Sequence, residues 1–173
     1  MRGYIVRKMM SKINFRVLNT IKKLKTFEFG EMSLKNNELE HRPCQVIVQD
    51  NVKMKYIGQW IIGTNIRQGR GTLIWQDGSC FEGHFKNNKA KGKGRMIHAN
   101  GDVYEGEFQE NKANGDGTYT QYNGTVYKGQ FVNDRQEGYG KENYNDGAYY
   151  EGTFLDGMKH GEGTFMNVNG QKY

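Results

Sequence analysis

Aromatic and polar positions alternate regularly over the last two thirds of the 173-residue chain, with glycines set between the aromatic side chains. In one unit, Gly106 follows Tyr104 by two positions and Phe108 follows it by four. A period of two places all three residues on one face of a β-strand. The first aromatic position recurs every 23 residues, at Phe81, Tyr104, Tyr127, Tyr150 and Tyr173. The pattern therefore predicts a series of equivalent strands that share an aromatic face.

Each unit also carries glycines that predict a second strand and its turns. Gly92 and Gly94 begin the return strand of one unit, and matching pairs recur in the units that follow. Single glycines in Asp-Gly or Asn-Gly, such as Gly78 and Gly101, precede the next aromatic residue by three positions and signal hairpin turns. Glycine weakens the interior of a strand unless close packing requires it. We expect each aromatic ring to lie flat over strand positions that lack a side chain.

The first unit differs from the others in the length of its hairpin. Tyr56 and Trp60 open this unit, but its return glycine, Gly69, comes two residues later than the period requires. The extra residues are expected to lengthen the loop within residues 61–68, because the entropy of loop closure grows only slowly with loop length.

These motifs resemble the MORN repeat (membrane occupation and recognition nexus), whose pattern runs Tyr-x-Gly-x-Trp/Phe, a turn, Gly-x-Gly and a second turn. The resemblance covers residues 56–173, which are five units and the first residue of a sixth. It implies an all-β repeat array, an elongated, twisted, single-layer antiparallel sheet of stacked β-hairpins. Proteins of this family act as scaffolds and adaptors at membranes, in the cytoskeleton and in cilia, and some hold a partner helix or extended peptide along the aromatic face. The resemblance implies a partner groove formed by Tyr56, Trp60, Phe81, Phe85, Tyr104, Phe108, Tyr127, Phe131, Tyr150 and Phe154.

Two departures from the repeat pattern bear on this groove. The sixteenth position of the unit is apolar in four units but is Glu142 in the fourth, where we expect a locally polar groove. The sequence also ends at Tyr173, where a sixth unit should begin. Either the last strand is a bare edge, which proteins usually cover, or the sequence is a fragment of a longer protein.

The first 27 residues predict a basic amphipathic helix. Lys8, Lys12, Arg16 and Lys23 project from one side. Four destinations are open: the chain's own groove, an anionic membrane, a mitochondrial import receptor if residues 1–27 are a transit peptide, or a partner's surface. We expect the helix to occupy the chain's own groove by default, since 20 helical residues span about 30 Å, a length that fits along the array. The apolar residues on the other side of the helix have helical spacing; they are Val6, Met9, Met10, Ile13, Val17, Ile21 and Leu24.

Residues 28–55 predict a connector and a cap. Residues 28–43 are polar and are expected to be partly helical up to Pro43. Residues 45–49 alternate as a strand that turns at Asp50 and Asn51 into a second strand. This degenerate half-hairpin is expected to cap the first repeat, as terminal units of repeat arrays commonly do.

The charge of the chain is unevenly distributed. The net charge is +6, but residues 1–27 hold eight basic and no acidic residues. Removing these eight from the 25 basic residues leaves 17 against 19 acidic ones, so residues 28–173 carry about −2. A nucleic-acid-binding surface requires a basic stripe on the folded domain, so the composition argues against a nucleic-acid-binding protein.

The sequence offers no recognisable catalytic chemistry. Cys44 and Cys80 have no CxxC spacing and no disulfide framework, which favours a reducing compartment. The four histidines stand apart without ligand spacing. We therefore predict a non-catalytic binding module with no catalytic residues, metal or cofactor. A cytoplasmic, cytoskeletal or ciliary location is expected, or a mitochondrial one if residues 1–27 are a transit peptide.

A basic cluster lies near the hairpin tip of the second unit. Its members are Lys86, Lys89, Lys91, Lys93 and Arg95. Such a cluster predicts weak binding to phosphoinositide headgroups, or else a solvated loop balanced by nearby acids. The alternatives to a protein-binding scaffold are therefore a phosphoinositide-binding membrane adaptor and the targeting part of a larger MORN-containing enzyme, such as a lipid kinase.

Overall fold

A computed structural model describes residues 15–29, 38–49 and 51–173, and it forms one antiparallel sheet. Eleven strands follow one another in sequence order, and each strand pairs with its neighbours along the chain. The first half of the predicted N-terminal helix lies outside the described residues. The elements are α1 (Phe15–Lys23), β1 (Leu39–Gln49), β2 (Val52–Ile61), β3 (Arg67–Trp75), β4 (Cys80–Lys86), β5 (Lys89–Ile97), β6 (Val103–Gln109), β7 (Lys112–Thr120), β8 (Val126–Val132), β9 (Arg135–Asn143), β10 (Tyr149–Leu155) and β11 (Met158–Met166).

Two-residue turns close the hairpins of units two to five. In the β4–β5 turn, Asn87 and Asn88 have φ values of 50° and 70°. Positive φ at both central residues is the requirement of a type I′ turn, which matches the twist of the flanking strands. Asn, Asp and Gly supply this conformation at most of the tips. The first unit instead uses residues 62–66 to join β2 to β3, which confirms the longer loop.

The second set of turns joins one unit to the next. Gly78 has a φ of 90°, a left-handed conformation that favours glycine. In the same turn the amide of Ser79 donates to Asp77 Oδ1 at 2.9 Å. The hairpin-turn prediction from the Asp-Gly and Asn-Gly pairs is confirmed.

The aromatic rings pack on glycines, as the spacing predicts. Gly106 on β6 lies opposite Gly117 on β7. A Cβ atom added to Gly117 would lie 2.5 Å from Tyr104 Cε2. A Cβ atom added to Gly71 would lie 2.2 Å from the Tyr56 hydroxyl oxygen. The paired glycines therefore leave the space that each ring fills.

The rings form one continuous column along the array. Tyr104 meets Phe108 of its own unit edge-to-face at 5.1 Å and Phe131 of the next unit at 4.8 Å. The same alternation runs from Trp60 to Tyr150. Edge-to-face pairs at these distances are the geometry that aromatic rings prefer. The column buries apolar area on a single sheet layer and links each unit to its neighbours. The all-β repeat array is thus confirmed.

The N-terminal segment packs on the other side of the sheet, here called the reverse face. Val17 of α1 is fully buried against Ile74, Cys80, Ile97 and Val103, and the helix residues Ile21 and Leu24 pack beside it. These four residues pair with one another across β3, β4, β5 and β6, and each is next in sequence to a residue of the aromatic face. The prediction that the helix occupies the aromatic groove is therefore wrong for its described part. An apolar patch on the reverse face binds it instead.

Residues 24–29 continue from α1 along the reverse face. The guanidinium of Arg95 lies 5.2 Å from the ring of Phe27 and donates from Nη1 to the Lys25 carbonyl at 2.9 Å. Phe29 meets the ring of His84 at 6.0 Å. His84 is buried there. The N-terminal segment, residues 15–29, thus forms a second layer over β3 to β6.

β1 and β2 form the predicted capping hairpin, but β1 is longer than expected. It begins at Leu39 and contains Pro43, so the prediction of a partly helical connector up to Pro43 is wrong over residues 39–43. The register shifts between Arg42 and Gln45. An edge strand tolerates proline at such an irregularity, because no neighbour requires its missing N–H. Residues 30–37 lie outside the described ranges. Within those ranges, no helix has the length and apolarity needed to span a bilayer.

Candidate functional site: the aromatic face

The ten predicted groove residues lie together on one face, but they form its buried floor. Each is at most 8% exposed. The hydroxyls of Tyr56, Tyr104 and Tyr127 donate to backbone carbonyls three residues ahead, at 3.0, 2.9 and 3.1 Å. Burial raises the pKa of the Tyr127 hydroxyl to about 12 and raises the pKa of Tyr56 further. These rings hold the array together and expose little surface for a partner to touch.

A second row of large side chains covers this floor and remains partly exposed. Met96 pairs across the sheet with Tyr104, and Phe165 pairs with Tyr150. The apolar sixteenth position of the unit was predicted from the sequence but was assigned no site, and the residue two positions later was not predicted. That later residue is aromatic in two units, which is the signal that was available. We call this row the apolar stripe; it consists of Ile47, Trp75, Met96, Tyr119, Tyr144 and Phe165.

The middle of the stripe is anchored by a carboxylate. The hydroxyl of Tyr119 donates to Asp102 Oδ2 at 2.7 Å, and the ring of His98 lies 6.1 Å from that of Tyr119. Burial alone raises the pKa of Asp102, but hydrogen bonds from Tyr119 and the Tyr122 amide outweigh it and hold the pKa below its ordinary value. The pKa of His98 is lowered by burial. Tyr119 is therefore held in place while its side chain stays partly exposed.

The last unit carries an ion pair on the aromatic face. Lys159 Nζ lies 2.6 Å from Glu142 Oε2, and the Tyr144 hydroxyl donates to the same oxygen at 2.7 Å. Lys159 Nζ also lies 5.2 Å from the ring centre of Tyr150. The polar position expected at Glu142 is thus neutralised within the chain. Burial alone would lower the pKa of Lys159, but the hydrogen bonds that its ammonium donates to this carboxylate and to Tyr144 outweigh burial and raise the pKa above its ordinary value.

The predicted basic cluster is only partly available to a ligand. Lys86, Lys91 and Lys93 are exposed. Lys89 is exposed too, but it pairs with Glu110. Arg95 departs from the expectation: its side chain is buried under the N-terminal segment and pairs with Glu82 and Glu105. Burial of this guanidinium removes it from any membrane contact.

The cysteines and histidines form no metal centre within the described residues, where no group of three or more His, Cys, Asp or Glu is placed to hold an ion. Cys44 is exposed and Cys80 is buried in the reverse-face patch, and both thiols are free. Burial raises the pKa of the Cys80 thiol to about 12. The reactive thiolate form of Cys80 is therefore strongly disfavoured.

Comparison with known proteins identifies the repeat. A family model described as MORN repeat matches five consecutive segments, residues 65–80, 81–103, 104–126, 127–149 and 150–172. The last four segments begin at the first aromatic position of a unit, as the 23-residue period predicts. The first begins inside the β2–β3 loop, so β2 lies outside the match. A comparison with individual curated proteins gives no match. Since the matched repeats cover more than half of the sequence, the chain belongs to the MORN-repeat family.

Proposed function

We propose that this protein is a non-catalytic protein-binding scaffold that holds a partner helix or extended peptide along its aromatic face. MORN repeats are known in scaffold roles that bind proteins or membranes. The observation that carries the proposal is the apolar stripe, a row of partly exposed large side chains above a buried floor. The cytoskeletal or ciliary setting, in the cytoplasm, rests on the family resemblance.

The position of the N-terminal segment supports this assignment. Its described residues, from Phe15 to Phe29, occupy the reverse face. The stripe residues Trp75, Met96 and Tyr119 therefore do not serve as the dock for α1. Partly exposed apolar and aromatic side chains in a row are typical of protein-interaction surfaces.

The spacing of the stripe suits a helix that runs along the array. Met96 on β5 and Tyr119 on β7 are one repeat apart. Strands are about 4.8 Å apart, so one repeat of two strands advances about 10 Å. Seven helical residues advance about 10.5 Å. A partner helix with an apolar residue at every seventh position would therefore meet successive stripe residues.

Site-directed photo-crosslinking tests the proposal. A photoreactive phenylalanine analogue replaces Met96 on the stripe, and the matched control carries it at Lys128, an exposed residue of the reverse face. In cells that express each chain, we expect a defined partner adduct from position 96 and none from position 128. The adduct from position 96 should vanish when Tyr119→Asp is added. Equal adducts from both positions would contradict the proposal.

The second candidate function is an anionic-membrane adaptor, which the exposed Lys86, Lys91 and Lys93 favour. Each basic residue near an anionic bilayer contributes about 1 kcal/mol, so these three support only weak binding. Flotation with phosphoinositide-containing liposomes at low salt tests it. Binding should fall when the three lysines become glutamine and should persist in Arg135→Gln. Flotation that is absent, or the same in both variants, would exclude this function.

A further inference from the structure

The first repeat contains a buried positive charge with no counter-charge in the described part of the chain. Arg67 is 6% exposed, and its guanidinium lies 5.5 Å from the ring centre of Phe85 and 5.8 Å from that of Tyr56. Its Nε donates to Asn88 Oδ1 at a long 3.4 Å, and its buried Nη1 has no hydrogen-bond partner among the described residues. Burial of an arginine without a carboxylate is costly.

A second unpaired donor lies beside Arg67. Trp60 is the cross-strand partner of Arg67, which places their Cβ atoms about 5 Å apart. Trp60 is 4% exposed, and its buried indole N–H has no partner within the described ranges. The other four units have phenylalanine at this position, so the first repeat alone has this donor. These two donors, on residues paired across β2 and β3, lack acceptors among the described residues, which points to an acceptor from outside them.

The fifth repeat shows what satisfies a cation at this place. Lys159 pairs with Phe154 across β10 and β11, as Arg67 pairs with Trp60 across β2 and β3. Lys159 has the carboxylate of Glu142, which stands opposite Tyr150. In the first repeat, the residue opposite Tyr56 is the uncharged Gln45. Gln45 donates instead to the Pro43 carbonyl at 3.4 Å. The position that carries the counter-ion in the fifth repeat is thus uncharged in the first, and Glu40, the carboxylate opposite Trp60 on β1, is paired with Arg42.

We infer that an acidic side chain of the bound partner supplies this carboxylate, an inference that rests on the proposed function. A carboxylate has two oxygens, one for Arg67 and one for Trp60, and arginine binds carboxylates in such two-point arrangements. Arg42 covers the site, with its guanidinium 5.0 Å from the Trp60 ring centre, and its partner Glu40 is half-exposed. The Arg42 side chain moves to admit the acidic side chain of the partner. The partner then lies with its acidic end at the first repeat.

Acetate, chloride and phosphate titrations followed by NMR test the site without a partner. The chain has two tryptophans, so the Trp60 indole N–H signal reports on the site and the Trp75 signal is the internal control. We expect acetate to shift the Trp60 signal saturably, with no such shift for Trp75 or in Arg67→Met. Sodium chloride at equal ionic strength should have no effect. A Trp60 shift that matches that of Trp75, or that phosphate produces more strongly than acetate, would overturn the inference.

The thermal stability of two matched variants provides the second test. Arg67→Met keeps an apolar chain over the rings and removes an uncompensated charge, so the midpoint temperature Tm should stay the same or rise. Lys159→Met leaves Glu142 without its cation, so Tm should fall. If Arg67→Met lowers Tm as much as Lys159→Met does, then Arg67 is already satisfied within the chain and the inference is wrong.

The two proposals fail separately in a combined experiment. With the crosslinker at position 96, Arg67→Met should reduce the partner adduct severalfold, and Lys128→Met, on the reverse face, should leave it unchanged. An adduct that persists unchanged in Arg67→Met overturns the acidic contact but leaves the scaffold function standing. If position 96 gives no adduct in the parent chain, the scaffold function fails, while the acetate titration still decides whether the carboxylate site exists.

Discussion

The two halves of the array are built from the same repeat but have different numbers of layers. In the first half, β3 to β6 carry the ring column on one face and the N-terminal segment on the other. In the second half, β7 to β11 carry the same ring column, while the reverse face presents residues such as the exposed Lys128 and Gln130. The difference shows that the ring column suffices to shape each hairpin and that the second layer is a local addition.

Residues at matching reverse-face positions explain where the second layer stops. Ile74 and Cys80 in the first unit and Ile97 and Val103 in the second form the apolar patch. The following units replace them with less apolar pairs: Thr120 with Val126, Asn143 with Tyr149, and Met166 with Lys172. A helix that buries valine and isoleucine gains little over threonine and asparagine, so it docks at the first two units.

The largest expected effect comes from breaking the feature that both halves share. Gly117→Val in the second half and Gly94→Val in the first each place a side chain where a ring lies, with the added Cβ 2.5 Å from a ring carbon in both cases. We expect each to lower the free energy of unfolding by about 3 kcal/mol, because overpacking forces the ring and strand apart. Urea denaturation measures this. Thr118→Val, which points to the reverse face, is the control, and an equal loss there would contradict the ring-on-glycine packing.

The next largest effect on stability should differ between the two halves. Arg95→Gln removes the buried guanidinium that holds Glu82, Glu105 and the Lys25 carbonyl. We expect a loss of about 2 kcal/mol, reduced from the value for fully buried pairs because Glu105 is partly exposed. Arg135→Gln breaks a surface pair with Asp156 in the second half and should not change Tm measurably. Equal losses would mean that the N-terminal segment does not bury Arg95.

A smaller effect is expected from loosening the second layer itself. Val17→Ala removes two buried carbon atoms and should cost about 1.5 kcal/mol. Amide exchange should increase in β3 to β6 and stay unchanged in β8 to β11, since repeats couple mainly to their neighbours. Thr120→Ala at a matching reverse-face position of the second half is the control. An equal increase in amide exchange across all strands in Val17→Ala would show that the second layer is not confined to the first half.

The smallest effect is a pH dependence confined to the first half. Burial, and then the nearby positive charge of Arg70, lower the pKa of His84 below its ordinary value. The unfolded chain therefore binds a proton first as the pH falls below about 6.5, so stability is full above that pH and declines as the pH falls through the lower folded pKa. His98 has a lowered pKa as well, so His84→Gln is measured in a His98→Gln background, which removes that second contribution. We expect His84→Gln to flatten the decline in Tm between about pH 6.5 and 5, and an unaltered slope would contradict it.

The repeat was predictable from the sequence because its signals are local. The two-residue spacing of Tyr127, Gly129 and Phe131 implies one strand face, and Asp-Gly or Asn-Gly marks each turn between units. Pro43 misled the same reasoning: proline usually ends a regular element, but on an edge strand its missing N–H costs nothing. The accessible side chains of the candidate site were harder to predict, because a ring at a repeat position is equally compatible with a buried floor and an exposed groove.

The order of the strands, the 23-residue unit and the face that carries the rings follow from the sequence alone, because each depends on residues that are close together in the chain. The face that α1 covers, the aromatic side chains that stay accessible and the charges that lack a described partner depend on the folded chain. Val17 and Val103, or Arg67 and Phe85, are brought near one another by strand pairing and docking. Their burial depends on the summed apolar area of distant residues, which no short pattern contains.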